Sequence, residues 1–151
     1  MSNTVEITRL SSLNLELVAP LVAESERAGW RFLRRLVEEW KQGVNRFDKP
    51  GEALFAAVDS ERLVGICGLN RDPYCDDVAV GRIRRLYVLP DYRRQGIGRE
   101  LVQAAIQAAH GRFRTLRVRT ENLEAGLLYE RLGFLPVSDQ ADTTHMLALE
   151  K

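Results

Sequence analysis

Cysteine is scarce in this 151-residue chain, which carries only Cys67 and Cys75. Two thiols are too few for a disulfide framework, so a reducing, cytoplasmic setting is expected. No apolar run approaches the ~20 residues of a membrane-spanning helix. The start, Met1-Ser2-Asn3-Thr4-Val5-Glu6, has no basic stretch leading into an apolar one, so no secretory signal is read. Linkers, repeats and low-complexity tracts are lacking too, and one domain over residues 1–151 is expected. Net charge is almost absent at +1, which gives the whole molecule no strong pull toward nucleic acid or an anionic membrane.

Charge is nevertheless uneven. From Arg82 to Arg119 the chain holds Arg84, Arg85, Arg93, Arg94, Arg99, Arg112, Arg114 and Arg117, against Asp91 and Glu100 as the acids. Such a run is either a solvated surface or a site for a polyanion. It becomes the second only where a phosphate-binding geometry accompanies it.

Hydrophobic periodicity supplies the elements. Thr4 to Arg9 alternates as a strand, and Leu13 to Val22 reads as a helix. Ala28-Gly29 interrupts it before a second stripe of Leu33, Leu36, Val37 and Trp40, and Gly43 to Gly51 reads as a loop. Leu54–Val58 and Leu63–Leu69 form a hairpin through Asp59-Ser60-Glu61-Arg62. A strand from Val78 to Leu89 ends at Pro90. A helix from about Gly98 to Ala109 follows, with Ile97, Leu101, Ala105 and Ala108 on one side. Leu116–Arg119 is a strand, and Asn122 caps a helix with Ala125, Leu128 and Leu132 as its buried face. Gly133 closes that helix in a left-handed cap. Phe134–Val137 and Thr144–Leu149 are the last strands. The order β-α-α-β-β-β-α-β-α-β-β mixes hairpins with crossovers and predicts an α/β chain with a mixed sheet.

Leu86-Tyr87-Val88-Leu89-Pro90-Asp91-Tyr92-Arg93-Arg94-Gln95-Gly96-Ile97-Gly98 carries the most information. A strand runs through a short turn into glycines at a helix start, where free N–H groups and the helix dipole attract anions. Arginines there add charge and bidentate bonds. A P-loop is excluded because Ile97-Gly98-Arg99-Glu100 stands where a Lys-Ser or Lys-Thr pair belongs. A dinucleotide fold is excluded because the segment follows a hairpin rather than the first strand of repeated βαβ units. In the preceding strand, Ile83, Leu86 and Val88 share no face of a regular strand. Either a bulge near Arg84-Arg85 restores one, or the strand is buried on both faces.

Arg93-x-x-Gly96-x-Gly98 after Leu86-x-Val88-x-Pro90 resembles the acyl-CoA signature of the GNAT N-acetyltransferase superfamily. Asn122-Leu123-Glu124-Ala125 with Leu128-Tyr129-Glu130-Arg131-Leu132-Gly133-Phe134 resembles that family's Asn-x-x-Ala…Tyr-x-x-x-Gly-Phe segment. The resemblance is strong from about Arg82 to Val137. It implies a GNAT-like acyl-CoA N-acyltransferase fold, whose mixed, mostly antiparallel sheet is splayed and flanked by helices. It also implies acetyl-CoA as cosubstrate.

Carried over by motif, Leu86, Tyr87 and Val88 would bond the pantetheine arm through their backbone. Arg93 opens the loop, and the amides of Arg94, Gln95, Gly96, Ile97, Gly98 and Arg99 would hold the pyrophosphate. CoA brings about four negative charges, which gives the local arginine excess a purpose. Asn122 would touch the cofactor in addition to capping its helix. Tyr129 would bind it too and protonate the departing thiolate. A phenol of pKa ~10 giving its proton to a thiolate of pKa ~8.5 is uphill by only ~2 kcal/mol. The Val88 N–H would polarise the acetyl carbonyl, so Tyr129 and Val88 are the expected catalytic groups.

One departure stands out. Many relatives carry a glutamate at the position aligned with Arg82, and arginine cannot act as a base. Glu121, Asp76 and Asp77 are the substitutes in view, and the sequence does not choose among them. For the acceptor, Glu24, Glu26, Trp30 and Phe32 would attract and face a cationic amine, although Leu33, Leu36, Val37 and Trp40 read as core spacing and the glutamates better suit a solvated face. Arg82 and Arg84 would instead hold an acceptor carboxylate, as in an amino acid. His110, His145 and the two cysteines form no ligand cluster, so no metal is expected. The expected function is acetyl transfer to a small-molecule amine. A protein N-terminus or lysine as acceptor is the alternative, and an acyl-CoA-binding sensor without turnover is the alternative of another class. A homodimer stays open, because an exposed edge strand allows pairing and many relatives in the family are dimers.

Overall fold

A computed structural model describes residues 4–149. The elements are β1 (Val5–Leu10), α1 (Leu15–Arg27), α2 (Phe32–Gln42), β2 (Ala53–Asp59), β3 (Arg62–Arg71), β4 (Val80–Val88), α3 (Ile97–Ala109), β5 (Thr115–Val118), α4 (Leu123–Arg131), β6 (Leu135–Pro136) and β7 (His145–Ala148), with a 3-10 turn at Pro90–Tyr92. Their order is the one the periodicity predicts. All seven strands join one sheet in the order β1-β2-β3-β4-β5-β7-β6. Every neighbouring pair is antiparallel except β4 and β5.

Several boundaries differ from the sequence reading, each for a local reason. The first helix starts after Asn14, whose Oδ1 accepts the Glu16 and Leu17 N–H groups, and continues through Pro20 to Arg27. The third helix begins at Ile97, with Gly96 as its N-cap at φ +84°. Val78 is exposed and outside β4. In α4 the fully buried positions are Gly126 and Tyr129, while Ala125, Leu128 and Leu132 are half-buried against the core. Gly126 lies against the sheet, where an added Cβ would stand at ordinary contact distance, 3.4 Å, from His145 Cε1.

Side chains sort into two layers. Leu21, Leu33 and Leu36 from α1 and α2 are fully buried, as are Ile97, Leu101 and Ala105 of α3. Glycines mark the closest approaches on each face. A Cβ on Gly65 would meet Leu101 of α3 at 3.1 Å. On Gly68, in the same strand, it would overlap the Phe47 ring at 2.5 Å. Gly68 therefore faces the α1–α2 layer and Gly65 the α3 layer. Among the described residues, no helix is long and apolar enough to cross a membrane.

Candidate active site

Of the two readings the apolar pattern allows for β4, the structure has the bulge. Pairing with β3 shifts between Ile66 and Gly68, and Arg85 takes φ +64°. Arg85 and Leu86 therefore stand opposite the single residue Cys67, a bulge that bends and twists the strand. The second effect lies on the other edge. Pairing of β4 with β5 is confined to Val80–Arg82 against Thr115–Arg117. Beyond Arg82 the two strands part, and Ile83 to Val88 have no strand partner on that side among the described residues.

The free edge exposes defined groups. Leu89 N–H donates to Val64 O on β3 at 2.9 Å. Alternation along the strand turns the Tyr87 backbone to β3 and the backbones of Leu86 and Val88 toward the split. The Val88 carbonyl on this edge accepts Arg93 Nε at 2.9 Å, which ties the following loop to the strand end. The Arg93 guanidinium also stacks 5.2 Å from the Tyr87 ring centre, and Tyr87 meets Phe32 edge-on at 6.1 Å. The Tyr87 side chain therefore belongs to the α1–α2 layer.

The loop itself is an open nest. Arg94 at φ +63° and Gly96 at φ +84° are both left-handed. Such turns aim successive N–H groups into one concavity. The amides from Arg94 to Arg99 find no acceptor among the described residues, and the next one, Glu100 N–H, bonds to Gly96 O. Gln95 Nε2 donates to Asp91 O instead of closing the concavity. Unpaired amides at a helix start are normal, but six in a row with two left-handed turns suit a diphosphate in both charge and size.

The fourth helix leans on this loop. A Cβ on Gly98 would stand 3.5 Å from Leu128, and Arg94 Nη2 lies 3.4 Å from Glu124 Oε2. Asn122 caps α4, its Oδ1 accepting Ala125 N–H at 3.0 Å. Replacing Asn122 by alanine should cost about 1 kcal/mol of stability, measurable by urea unfolding.

Tyr129, about two helical turns after Asn122, is buried and packs edge-on against Phe134 at 5.4 Å. Its hydroxyl has no hydrogen-bond partner among the described residues. Burial raises the phenol well above its ordinary pKa, and the neighbouring Cys67 adds to the shift. The group is therefore protonated throughout the neutral range, and a weaker acid than a solvated phenol.

Cys67 is wholly buried, and burial pushes its thiol up to about 12. The unfolded chain releases this proton near the ordinary thiol value of 9.0, the folded chain only near 12. Its contribution to stability is therefore whole below pH 9 and fades as pH climbs toward 12, at ~1.4 kcal/mol per unit. Urea unfolding at pH 8 and 10.5 should show this alkaline loss, and Cys67→Ala should lessen it. An equal slope in the variant contradicts the assignment.

His145 is also buried. Its ring nitrogens lie 2.9 Å from Glu130 Oε2 and 2.9 Å from Thr144 Oγ1. The network joins β7 to α4 beside Tyr129, whose ring centre is 6.2 Å from that of the histidine.

Among the acceptor-side candidates, Glu24 pairs with Arg27 at 2.7 Å and Glu26 with Arg34 at 2.8 Å, both at the surface. They form the solvated, paired face rather than a free acidic lure. Trp30 and Phe32 stack at 6.2 Å and lead to Tyr87. The base candidates do not converge. Glu121 is exposed and paired with Arg119, Asp77 accepts Ala79 N–H, and Asp76 is exposed.

Sequence reading missed Asp72. It is 1% exposed, with Oδ2 3.6 Å from Arg82 and 3.8 Å from Arg117. The chain signal was weak, because Asp72-Pro73 reads as an ordinary turn. Removing its charge by Asp72→Asn strands two largely buried guanidiniums and should cost about 3–5 kcal/mol, again by urea unfolding.

The comparisons with known proteins agree with this geometry. Residues 15–134 match the acetyltransferase (GNAT) family. The chain belongs to that family. It is similar to an N-alpha-acetyltransferase 30 of Schizosaccharomyces pombe, 33% identical over 86 residues, which are 55% of this chain and 57% of that protein. The match thus spans little more than half the length of that relative. An aminoglycoside N(6')-acetyltransferase type 1 of Klebsiella aerogenes is 30% identical over 112 residues, 64% of this chain and 72% of that protein. Among solved structures, a putative acetyltransferase of Exiguobacterium sp. 255-15 superposes with a TM-score of 0.82 at 28% identity, over 95% of this chain and 93% of that one. A Salmonella typhimurium protein solved with acetyl-CoA shares the fold, with a TM-score of 0.70 at 15% identity over 99% and 96% of the two chains.

Proposed function

We propose that the protein is an acetyl-CoA-dependent N-acetyltransferase whose acceptor is a small-molecule amine. The observation that carries this reading is the row of six unpaired amides from Arg94 to Arg99 at the end of a strand whose edge is free. Bound acetyl-CoA supplies an activated acetyl group as a thioester. The amides hold its diphosphate, with Arg93 tying the loop to the strand. Leu86 and Val88 align the pantetheine arm as an added strand along β4. The Val88 N–H then donates to the acetyl carbonyl oxygen, where negative charge develops as the amine attacks. Holding amine and thioester together in the split supplies much of the rate. Tyr129 gives its proton to the departing thiolate, and the proton that the attacking nitrogen sheds passes through water to the phenolate, which restores the phenol. Its raised pKa makes the donation more uphill than for a free phenol, a cost that a buried thiolate lacking other donors offsets.

A small-molecule acceptor is favoured by the similarity to the aminoglycoside acetyltransferase. Acetylation of a protein N-terminus is the second reading, favoured by the Schizosaccharomyces pombe relative. Free-thiol release from acetyl-CoA, followed across a panel of small amines and N-terminal peptides, tests both. Acceleration by small amines supports the first reading. Acceleration by peptides alone supports the second. Tight CoA binding with no acceleration by any amine overturns both in favour of a sensor.

A further inference from the structure

The face of β4 turned to the α1–α2 layer is lined with arginines at the root of the split. Register places Asn70, Arg82 and Arg117 side by side across β3, β4 and β5, and Arg84 follows on the same face opposite Gly68. The bulge brings Arg85 to that layer as well, where it pairs with Glu39 of α2 at 3.1 Å. Three of these cations have assigned partners. Arg82 and Arg117 share Asp72, Arg82 also donates to Asp142 O and lies 4.7 Å from the Tyr74 ring centre, and Arg117 donates to Gln140.

Arg84 has none. Among the described residues it makes no ion pair, hydrogen bond or ring contact, although it is half-buried. Its charge bears on both neighbours, helping to lower the pKa of Arg82 and of Arg85 after burial itself. A fold gains nothing by seating an unpaired cation between two buried ones. Beside it, Arg82 is 5% exposed and its Nη1 has no hydrogen-bond partner, nor has the Nε of Arg117, while the buried acceptors Asn70 Oδ1 and Asp72 Oδ2 in the same cluster are also without one. Buried polar atoms of this kind cost free energy unless a water or a ligand satisfies them, and the two guanidinium donors are the ones a carboxylate can meet.

We infer that Arg84, backed by Arg82 and Arg117, forms an anion subsite at the root of the β4–β5 split, and that the acceptor is an amine bearing a carboxylate. This deepens the acetyl-transfer reading and rests on it. Arg84 precedes Val88 by four residues, about 13 Å of strand before the bulge shortens it. An arginine side chain and a small amino acid together span that distance, which sets the amine near the Val88 N–H. Guanidinium groups match carboxylates bidentately, so recognition is directional as well as electrostatic. The same charges repel a polycation, and an aminoglycoside is therefore expected to be a poor acceptor here, whatever the acceptor of the Klebsiella aerogenes relative.

Matched acceptors decide it. Thiol release from acetyl-CoA is measured with free amino acids, with the corresponding amino-acid amides and with an aminoglycoside, for the wild type and for Arg84→Ala and Arg84→Lys. The inference expects kcat/KM for an amino acid to exceed that for its amide at least tenfold. It expects this ratio to fall toward one in Arg84→Ala and to recover in part in Arg84→Lys. Equal use of acid and amide, preference for the aminoglycoside, or an unchanged ratio in Arg84→Ala overturns it while leaving acetyl transfer standing. Calorimetric titration of the amino acids into the CoA-bound protein gives a readout free of turnover. Binding that Arg84→Ala abolishes, with no thiol release from any amine, keeps the anion subsite and overturns the transfer reading. Absence of both binding and release overturns the subsite.

Discussion

Replacing Tyr129 by phenylalanine is expected to lower kcat by about 10²–10³, within the range that a positioned general acid contributes. The fold should survive, because the hydroxyl bonds to nothing among the described residues, whereas the ring packs on Phe134. Deleting only the oxygen keeps that packing. The affinity for CoA should fall far less than kcat, since the diphosphate amides are untouched. Pre-steady-state mixing of enzyme, acetyl-CoA and amine separates chemistry from product release and shows which step has slowed. Full turnover in the variant would falsify the assignment of Tyr129 as acid.

The second large effect belongs to Gly96. Its φ of +84° is a conformation that a side chain disfavours by about 1–2 kcal/mol, and more for a β-branched one. A Cβ there meets nothing within 4 Å, so the obstacle is the backbone rather than crowding. Gly96→Val should turn the peptide toward negative φ and swing the adjoining amides out of the concavity. CoA affinity should drop by about 100-fold, as expected when several charge-assisted hydrogen bonds are lost together. The melting temperature should move by about 2–4 °C per kcal/mol of strain for a chain of this size. Gly111 is the matched control, at φ +82° with equally open space but beyond the other end of α3. Gly111→Val should show the same thermal cost with CoA affinity intact. If both variants bind CoA equally well, the loop geometry is not what holds the ligand.

Most of this architecture is legible in the residues because the signals are local. The strand, turn, glycines and amphipathic helix around Arg93–Gly98 are read from sequence and are all present in the structure. The misfit of Ile83 with Leu86 and Val88 leaves two readings, a bulge or a strand buried on both faces, and the structure has the bulge. Where the reading slips, long-range packing decides. The buried face of α4 falls on Gly126 and Tyr129, with Gly126 against His145, a contact 19 residues apart in sequence that periodicity cannot report. The acidic side chains Glu24 and Glu26 look available in sequence until Arg27 and Arg34 are seen to neutralise them. Asp72 is hidden for the opposite reason. Its importance comes from Arg82 and Arg117, which meet it only once β4 and β5 lie in parallel register. Likewise, a run of arginines carries no direction until alternation and register assign Arg84 to one face and the loop arginines to another.

The central claim concerns the six amides of the loop, and amide NMR reads them one by one. Titrating the ¹⁵N-labelled protein with CoA should shift the resonances from Arg94 to Arg99, those of Gly96 and Gly98 included, whereas pantetheine, which lacks the diphosphate, should leave them in place. If pantetheine moves them as CoA does, or if CoA moves none of them, the diphosphate is held elsewhere and the account is wrong.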